Sequence, residues 1–187
     1  GSANVYAHSS SCNLSKESAY MQTMGASNYS TDFGNAKMVM FIGRSYADAI
    51  RPSQLHALEK AHENGAYIVL VDPRLNNSIA FADEWLPINP GTDLAFILAL
   101  CNVLIEEDLY DHEYVAQWVE PDGFEEWRKY VVGEVDGVAH TPEWAELITG
   151  IPAETIGAFA RYYASMKPVH LQQMYGVSKR NLGDYAA

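Results

Sequence analysis

The chain has 187 residues, with 24 acidic and 12 basic side chains, which gives a formal net charge of −12 at pH 7. Apolar residues make up 48 % and charged residues 19 %, a composition typical of a folded domain and not of a disordered segment. Because the surface is acidic, we expect no nucleic-acid partner, although helix N-termini and backbone N–H groups can still bind a small phosphate ligand. The longest apolar stretch, Leu94–Ile105, is shorter than the roughly 20 residues that span a bilayer, so we predict no direct membrane insertion.

The first predicted elements are a strand, a helix and a second strand. Lys37–Gly43 is a short apolar run that ends in glycine, Arg51–Asn64 has a helical apolar face, and Tyr67–Val71 is apolar and rich in β-branched residues. Both strands are apolar throughout rather than alternating, as in a parallel sheet covered on two faces. The pattern predicts a βαβ unit.

The rest of the chain predicts a brief strand, a series of helices and a final strand. A polar stretch, Arg74–Asp83, leads to a strand at Glu84–Ile88, and a helix that is apolar nearly all round begins at Thr92 or Asp93 and ends near Glu107. Further helices are predicted at Asp111–Val119, Gly123–Val131, Pro142–Ile148 and Pro152–Met166, and the last strand at Val169–Tyr175. The fold class predicted is α/β, a single doubly wound, Rossmann-like domain over residues 1–187, with a mostly parallel sheet and helices on both faces.

Ligands of open parallel sheets bind beyond the carboxyl ends of the strands. At the end of the first predicted strand, Gly43 lets the backbone approach a phosphate closely. The N–H groups that follow it, in Arg44 and Ser45, and the hydroxyl of Ser45 can donate to that phosphate. An ordinary βα turn explains the same residues. Because no GxGxxG or GxxxxGK(S/T) motif is present, ordinary NAD binding and P-loop hydrolysis lose support.

Asp72 and Arg74 follow the second predicted strand. An acidic side chain at this position can accept both ribose hydroxyls of a nucleotide, and a turn formed by the Asp-Pro pair is the alternative. Arg74 can contact a phosphate or pair with an exposed acid. Neither alternative is excluded by the sequence.

The PGTD segment, Pro90–Asp93, precedes the apolar helix. Gly91 shapes a tight turn, and Thr92 with Asp93 opens the helix, where both are good N-capping residues. The two carboxylate oxygens of Asp93 also match the adjacent N1–H and N2–H donors of guanine. The spacing alone favours the cap.

Cys12 and Cys101 are the only cysteines, too few and too far apart for a disulfide framework. Cys12 lies at the start of a predicted helix that runs to Gly25. A helix N-terminus favours a thiolate, which is a soft metal ligand, and a small buried apolar residue is the alternative. Cys101 lies within the buried helix and is expected to be inert. The six histidines show no metal-ligand spacing.

Several longer stretches follow one another in a recognisable order. They are ANVYAHSSSC (Ala3–Cys12), FIGRSYADA (Phe41–Ala49), VDPRLNNSIAFADEWLPINPGTDLA (Val71–Ala95), LIEEDLYDHEYV (Leu104–Val115), TPEWAELITGIPAETI (Thr141–Ile156) and MYGVSKRNLGD (Met174–Asp184). Together they resemble the molybdopterin oxidoreductases of the DMSO reductase superfamily, and the third stretch is the most specific. The context of Cys12 is closest to thiosulfate and polysulfide reductases.

The resemblance implies the central segment that binds molybdopterin guanine dinucleotide (bis-MGD) in a molybdenum oxidoreductase. The parent would catalyse two-electron oxo or sulfur transfer at a bis-pterin molybdenum centre. The implied roles are molybdenum ligand and catalytic residue for Cys12, phosphate contacts for Gly43, Arg44 and Ser45, ribose and phosphate contacts for Asp72 and Arg74, and guanine recognition for Asp93 in the turn with Gly91 and Thr92. The resemblance reverses the preference for a cap at Asp93.

The resemblance also implies partners. The substrate would be a small inorganic or organic oxo or sulfur compound, and an iron–sulfur electron-transfer subunit would accompany the parent. The location is not given by the sequence, and the resemblance favours a periplasmic or membrane-associated parent over a cytoplasmic one. A 4Fe–4S cluster is common in the family, but no cysteine cluster here would bind it. Asn89 stands where the family frequently has arginine, which would weaken a phosphate or carboxylate contact.

The family's iron–sulfur N-terminal domain and its C-terminal cofactor-binding domain have no counterpart in this sequence. We therefore expect a fragment of a larger catalytic subunit that has no turnover by itself. The alternative is a metal-free structural relative, such as a subunit of a respiratory complex. Cys12 and the intact PGTD segment argue against it, because a cofactor-free module has no use for either.

Overall fold

A computed structural model describes residues 2–4, 12–27, 32–48, 52–173, 175–179 and 186. Its centre is a parallel sheet formed by β1 (Met38–Ile42), β2 (Tyr67–Val71), β3 (Glu84–Leu86) and β4 (Val169–Gln173). The strands lie in the order β3-β2-β1-β4, and Met38 at the start of β1 pairs with Tyr67 on one side and with Val169 on the other. The predicted parallel α/β fold is confirmed.

Helices flank this sheet. They are α1 (Leu14–Met24), α2 (Pro52–Glu63), α3 (Asp93–Glu106), α4 (His112–Trp118), α5 (Pro121–Val131), α6 (Pro142–Thr149), α7 (Ala153–Ser165) and α8 (Tyr175–Ser178), with a 3₁₀ helix, η1, at Asn77–Phe81. Neither η1 nor α8 was predicted, and the strand predicted over Val169–Tyr175 ends at Gln173 because the chain turns into α8 there. Within the described residues, every helix is too short or too polar to span a membrane.

Both faces of the sheet are buried, which explains why its strands are apolar throughout. Met40 and Ile42 of β1 pack on one side with Phe96 of α3 and the rest of the helical layer formed by α3, α6 and α7. Phe41, which points to the other side, packs in a second core with Leu58 of α2. The sheet therefore lies between two helical layers, as the doubly wound pattern predicts.

The strand order places a change of winding direction beside β1. The chain passes from β1 to β2 and β3 on one side, and β4 then adds on the opposite side of β1. In doubly wound sheets the carboxyl ends of the strands separate at such a point and leave a crevice in which ligands bind. The carboxyl ends of β1 and β4 are therefore the place to look for a site.

Tyr67, at the start of β2, makes the stability of the folded chain depend on pH in the alkaline range. Burial raises its pKa to about 12, helped by Glu84, whose Oε2 accepts a hydrogen bond from the phenol at 3.2 Å. The folded chain thus favours the neutral phenol, and the resulting stability is present in full below a pH of about 10, the pKa in an unfolded chain, and is lost as the pH rises through about 12.

We expect the free energy of unfolding to fall more steeply between pH 10 and 12 in the wild-type chain than in Tyr67→Phe. Urea denaturation at a series of pH values measures both slopes. Tyr163, whose pKa is also raised by burial, contributes equally to both proteins. Identical slopes would contradict the assignment to Tyr67.

Candidate functional site

A cavity of about 280 Å³ lies at the carboxyl ends of the strands. Among the described residues, its lining consists of Gly43, Asp72, Pro73, Arg74, Pro90, Asp93 and Gly176. These residues come from the segments that follow β1, β2, β3 and β4, so the sheet brings together four separate parts of the chain. The cavity thereby unites Gly43, Asp72, Arg74 and Asp93 of the predicted site.

Gly43 and Gly176 form a wall of bare backbone at the ends of β1 and β4. Gly43 has φ +60°, and a Cβ there would lie 2.8 Å from the Cα of Gly176. The N–H of Gly176 donates to the carbonyl oxygen of Gly43 at 3.2 Å. Because any side chain at either position would collide with the opposite backbone, both positions require glycine. Sequence analysis missed Gly176 as a site residue, although it follows the last predicted strand much as Gly43 follows the first.

Asp93 lines the cavity as the first residue of α3 and is only 5 % exposed. Thr92 occupies the N-cap position, but its side chain accepts no hydrogen bond from the helix and instead donates to the carbonyl oxygen of Asn89 at 2.7 Å. The capping role considered for Thr92 is therefore not observed. Gly91, with φ +84°, makes the tight turn that the sequence predicts. Asp93 lies in the first turn of α3, where an acidic side chain interacts favourably with the helix dipole.

Asp72 and Arg74 lie together at the rim of the cavity. Oδ1 of Asp72 accepts a hydrogen bond from the backbone N–H of Arg74 at 2.8 Å, so the turn considered in the sequence is formed. The Arg74 side chain is 70 % exposed, and its Nη2 donates to Oδ2 of Asp48 at 3.1 Å. Pairing with an acid is thus observed, while Arg74 still lines the cavity. Contact of either residue with a nucleotide stays a prediction.

Arg44 and Ser45 lie next to the cavity without lining it. Arg44 is buried, donates from Nη2 to Oε1 of Gln54 at 2.7 Å, and lies 4.8 Å from the ring centroid of Tyr46. Ser45 donates from its hydroxyl to Oδ2 of Asp48 at 2.8 Å. Both side chains therefore contact the protein itself, and their contact with phosphates stays a prediction.

Cys12 approaches the same end of the sheet. It lies just before α1 and is partly buried, and its Sγ is 3.7 Å from the hydroxyl oxygen of Tyr175, the residue that precedes Gly176. The described residues contain no group of three or more His, Cys, Asp or Glu side chains that could hold a metal. Burial raises the pKa of the Cys101 thiol to about 11, as expected for an inert cysteine.

Comparison with known proteins agrees with the resemblance. Residues 1–179 match the family model described as molybdopterin oxidoreductase. The thiosulfate reductase molybdopterin-containing subunit PhsA of Salmonella typhimurium is 36 % identical over 168 residues, which are 90 % of this chain and 21 % of that protein. The putative dimethyl sulfoxide reductase chain YnfE of Escherichia coli is 33 % identical over 204 residues, covering 100 % of this chain and 25 % of that protein.

A solved structure also shares the fold. Acetylene hydratase from Pelobacter acetylenicus superimposes with a TM-score of 0.77 and 27 % sequence identity, over 93 % of this chain and 22 % of that chain. The chain therefore spans a quarter or less of the length of these relatives.

Proposed function

Because the chain belongs to the molybdopterin oxidoreductase family, we propose that its cavity binds the nucleotide end of a molybdopterin guanine dinucleotide. The observation that carries the proposal is the convergence of Gly43, Asp72, Arg74 and Asp93 in one cavity at the carboxyl ends of parallel strands. Doubly wound sheets bind nucleotides at this place, beside the strand where the winding direction changes.

The chemistry of the lining fits a guanine nucleotide. The carboxylate of Asp93 offers two acceptors to the N1–H and N2–H of guanine, Asp72 offers acceptors to ribose hydroxyls, and Arg74 offers donors to a phosphate. The bare backbone of Gly43 and Gly176 allows close approach. A volume of about 280 Å³ is near the lower end of the range for small-molecule sites, roughly 300–1,000 Å³, and suits the nucleotide part of the cofactor.

For the whole protein we propose a molybdenum oxidoreductase that transfers an oxygen or sulfur atom, with Cys12 as the protein ligand of a bis-pterin molybdenum centre. The cofactor supplies the two-electron chemistry when bound, and the chain holds and orients it. Similarity to a thiosulfate reductase and to dimethyl sulfoxide reductases supports a small sulfur or oxo compound as substrate.

We further propose that the protein works with an iron–sulfur electron-transfer subunit and that residues 1–187 have no turnover by themselves. Support for a multi-subunit enzyme comes from relatives that are themselves named as subunits, the thiosulfate reductase and a pyrogallol hydroxytransferase. Substrate reduction by the purified 187-residue chain with bound molybdenum would contradict the second part of this proposal.

The test of the proposed site is guanine preference. We expect the wild-type chain to bind GMP more tightly than AMP in competition calorimetry, and Asp93→Asn to lose the preference because an amide N–H₂ opposes a guanine donor. Hydrogen bonds to a charged group contribute about 1.5–3 kcal/mol, so the affinity for GMP should fall roughly 10- to 150-fold.

Asp122→Asn is the matched control, since Asp122 is also an acid in the first turn of a helix, α5, and does not line the cavity. This variant should keep both affinities. Equal affinities of the wild-type chain for GMP and AMP would overturn the guanine assignment.

A further inference from the structure

Asp48 does not line the cavity but connects two of the loops that form it. From the loop after β1, its Oδ2 accepts the hydroxyl of Ser45 at 2.8 Å. From the loop after β2, Oδ2 accepts Nη2 of Arg74 at 3.1 Å and the backbone N–H of Asn77 at 3.3 Å, and Oδ1 accepts Nδ2 of Asn77 at 2.5 Å. One carboxylate thus connects Arg74, which among the described residues is the only arginine that lines the cavity, to both loops.

The two partners of this ion pair differ in exposure. The Asp48 side chain is 26 % exposed, whereas that of Arg74 is 70 % exposed. The hydrogen bond from Ser45, together with the Asn77 N–H and the charge of Arg74, holds the pKa of Asp48 below its ordinary value, so the carboxylate is charged at neutral pH. A long exposed arginine otherwise samples many rotamers, and ordering such a side chain on binding costs about 0.5–1.5 kcal/mol.

The Arg74 guanidinium uses only one of its three nitrogens in the ion pair with Asp48. Within the described part of the chain, Asp48 accepts from Nη2 alone, and Nε and Nη1 donate to no described residue. A guanidinium has five N–H donors in a rigid plane, and two of them can face one phosphate. The ion pair therefore restrains the Arg74 guanidinium at one nitrogen and leaves donors for an anion in the cavity.

We propose that Asp48 is a positioning residue that holds the guanidinium of Arg74 at the cavity rim, oriented for a phosphate group of the bound ligand. Ser45 then acts one step away, through its hydrogen bond to Asp48, and not by direct contact with the phosphate. The inference rests on the proposed function for the identity of the ligand. An exposed ion pair contributes only about 0–1 kcal/mol to stability, so its role is visible in binding.

A double-mutant cycle tests this role. Asp48→Ala, Arg74→Ala and the double variant of the full 187-residue chain are compared by calorimetry with inorganic pyrophosphate, GMP and guanosine. We expect Asp48→Ala to lower the affinity for pyrophosphate and GMP roughly two- to tenfold, which corresponds to the cost of ordering one arginine side chain. The affinity for guanosine should stay unchanged. In the Arg74→Ala background, Asp48→Ala should have no further effect.

Two outcomes would overturn the proposal. If Asp48 only joins the loops through Ser45 and Asn77, its removal weakens the binding of guanosine and of pyrophosphate to the same extent. The same loss then occurs in the Arg74→Ala background. If its charge mainly repels the ligand, Asp48→Ala strengthens pyrophosphate binding. Glu107→Ala is the control. It breaks another exposed ion pair, in which Oε1 of Glu107 lies 2.6 Å from Nη2 of Arg161, and neither residue lines the cavity.

The same data separate this inference from the proposed function. Coupling between Asp48 and Arg74 in pyrophosphate binding, without a preference for GMP over AMP, would support the role of Asp48 and contradict the guanine site. A clear preference for GMP, with affinities for GMP and pyrophosphate that Asp48→Ala does not change, would support the guanine site and contradict the role of Asp48. Absence of binding by every probe would overturn both.

Discussion

Replacing Gly43 by alanine is expected to destabilise the chain by roughly 2–5 kcal/mol and to abolish nucleotide binding. Two effects combine at this position. A residue with a Cβ is strained by about 1–2 kcal/mol in the left-handed region, where Gly43 lies with φ +60°. The new Cβ would also lie 2.8 Å from the Cα of Gly176 and 3.1 Å from the N of Val177, so β1 and β4 would have to separate. That separation deforms the backbone wall of the cavity.

Two other glycines separate these effects. Gly65 has φ +81° but open space around it, so Gly65→Ala tests backbone strain alone. Gly176 lies in α8, and a Cβ there would meet the Gly43 Cα at 2.7 Å, so Gly176→Ala tests the steric contact alone. Urea denaturation should rank Gly43→Ala as the most destabilising of the three. If Gly43→Ala costs no more than Gly65→Ala, the contact between the two backbones relaxes and does not shape the site.

Much of the fold could be predicted because the local signals agree with the tertiary structure. The strand predicted at Tyr67–Val71 has the observed bounds, since an apolar β-branched run is punctuated by glycine before it and Asp-Pro after it. The element η1 gave no such signal. It begins where the side chain of Asn76 accepts from the N–H of Ser78, and the Ser78 hydroxyl lies 3.0 Å from that of Ser45 in another loop. A 3₁₀ helix of five residues is too short to show a helical periodicity in the sequence.

In the candidate site, too, some residues could be predicted from local sequence signals and others could not. The rule that ligands bind at strand ends was enough to select Gly43, Asp72 and Asp93, because each follows or faces the end of a recognisable strand. The role of Gly176 depends on β4 lying beside β1, a pairing of segments far apart in the chain. The orientation of Arg44 depends on the packing of Gln54 and Tyr46 around it. Neither arrangement has a local signature in the sequence.

Phe96→Ala is expected to cost about 3–5 kcal/mol, the usual penalty for removing a fully buried aromatic side chain. Phe96 is 0 % exposed, and its ring lies against that of Phe159 with a centroid separation of 6.2 Å. The same helix, α3, presents Asp93 to the cavity one turn earlier. Phe96→Leu retains most of the volume and should cost less than about 1.5 kcal/mol. Leu147→Ala, at a position that is 89 % exposed, should change stability by no more than about 0.5 kcal/mol.

Together with Asp93→Asn, these variants test whether the core and the site are separable. Phe96, one turn further along α3, supports the helix through apolar contacts, whereas Asp93 acts from its first residue through the carboxylate. We therefore expect Phe96→Leu to lower the urea midpoint and keep the preference for GMP over AMP, and Asp93→Asn to lose the preference with little change in the midpoint. If folded Phe96→Leu loses guanine preference, the packing beneath α3 sets the position of the carboxylate. Recognition would then be a property of the whole helix and not of the residue at its start.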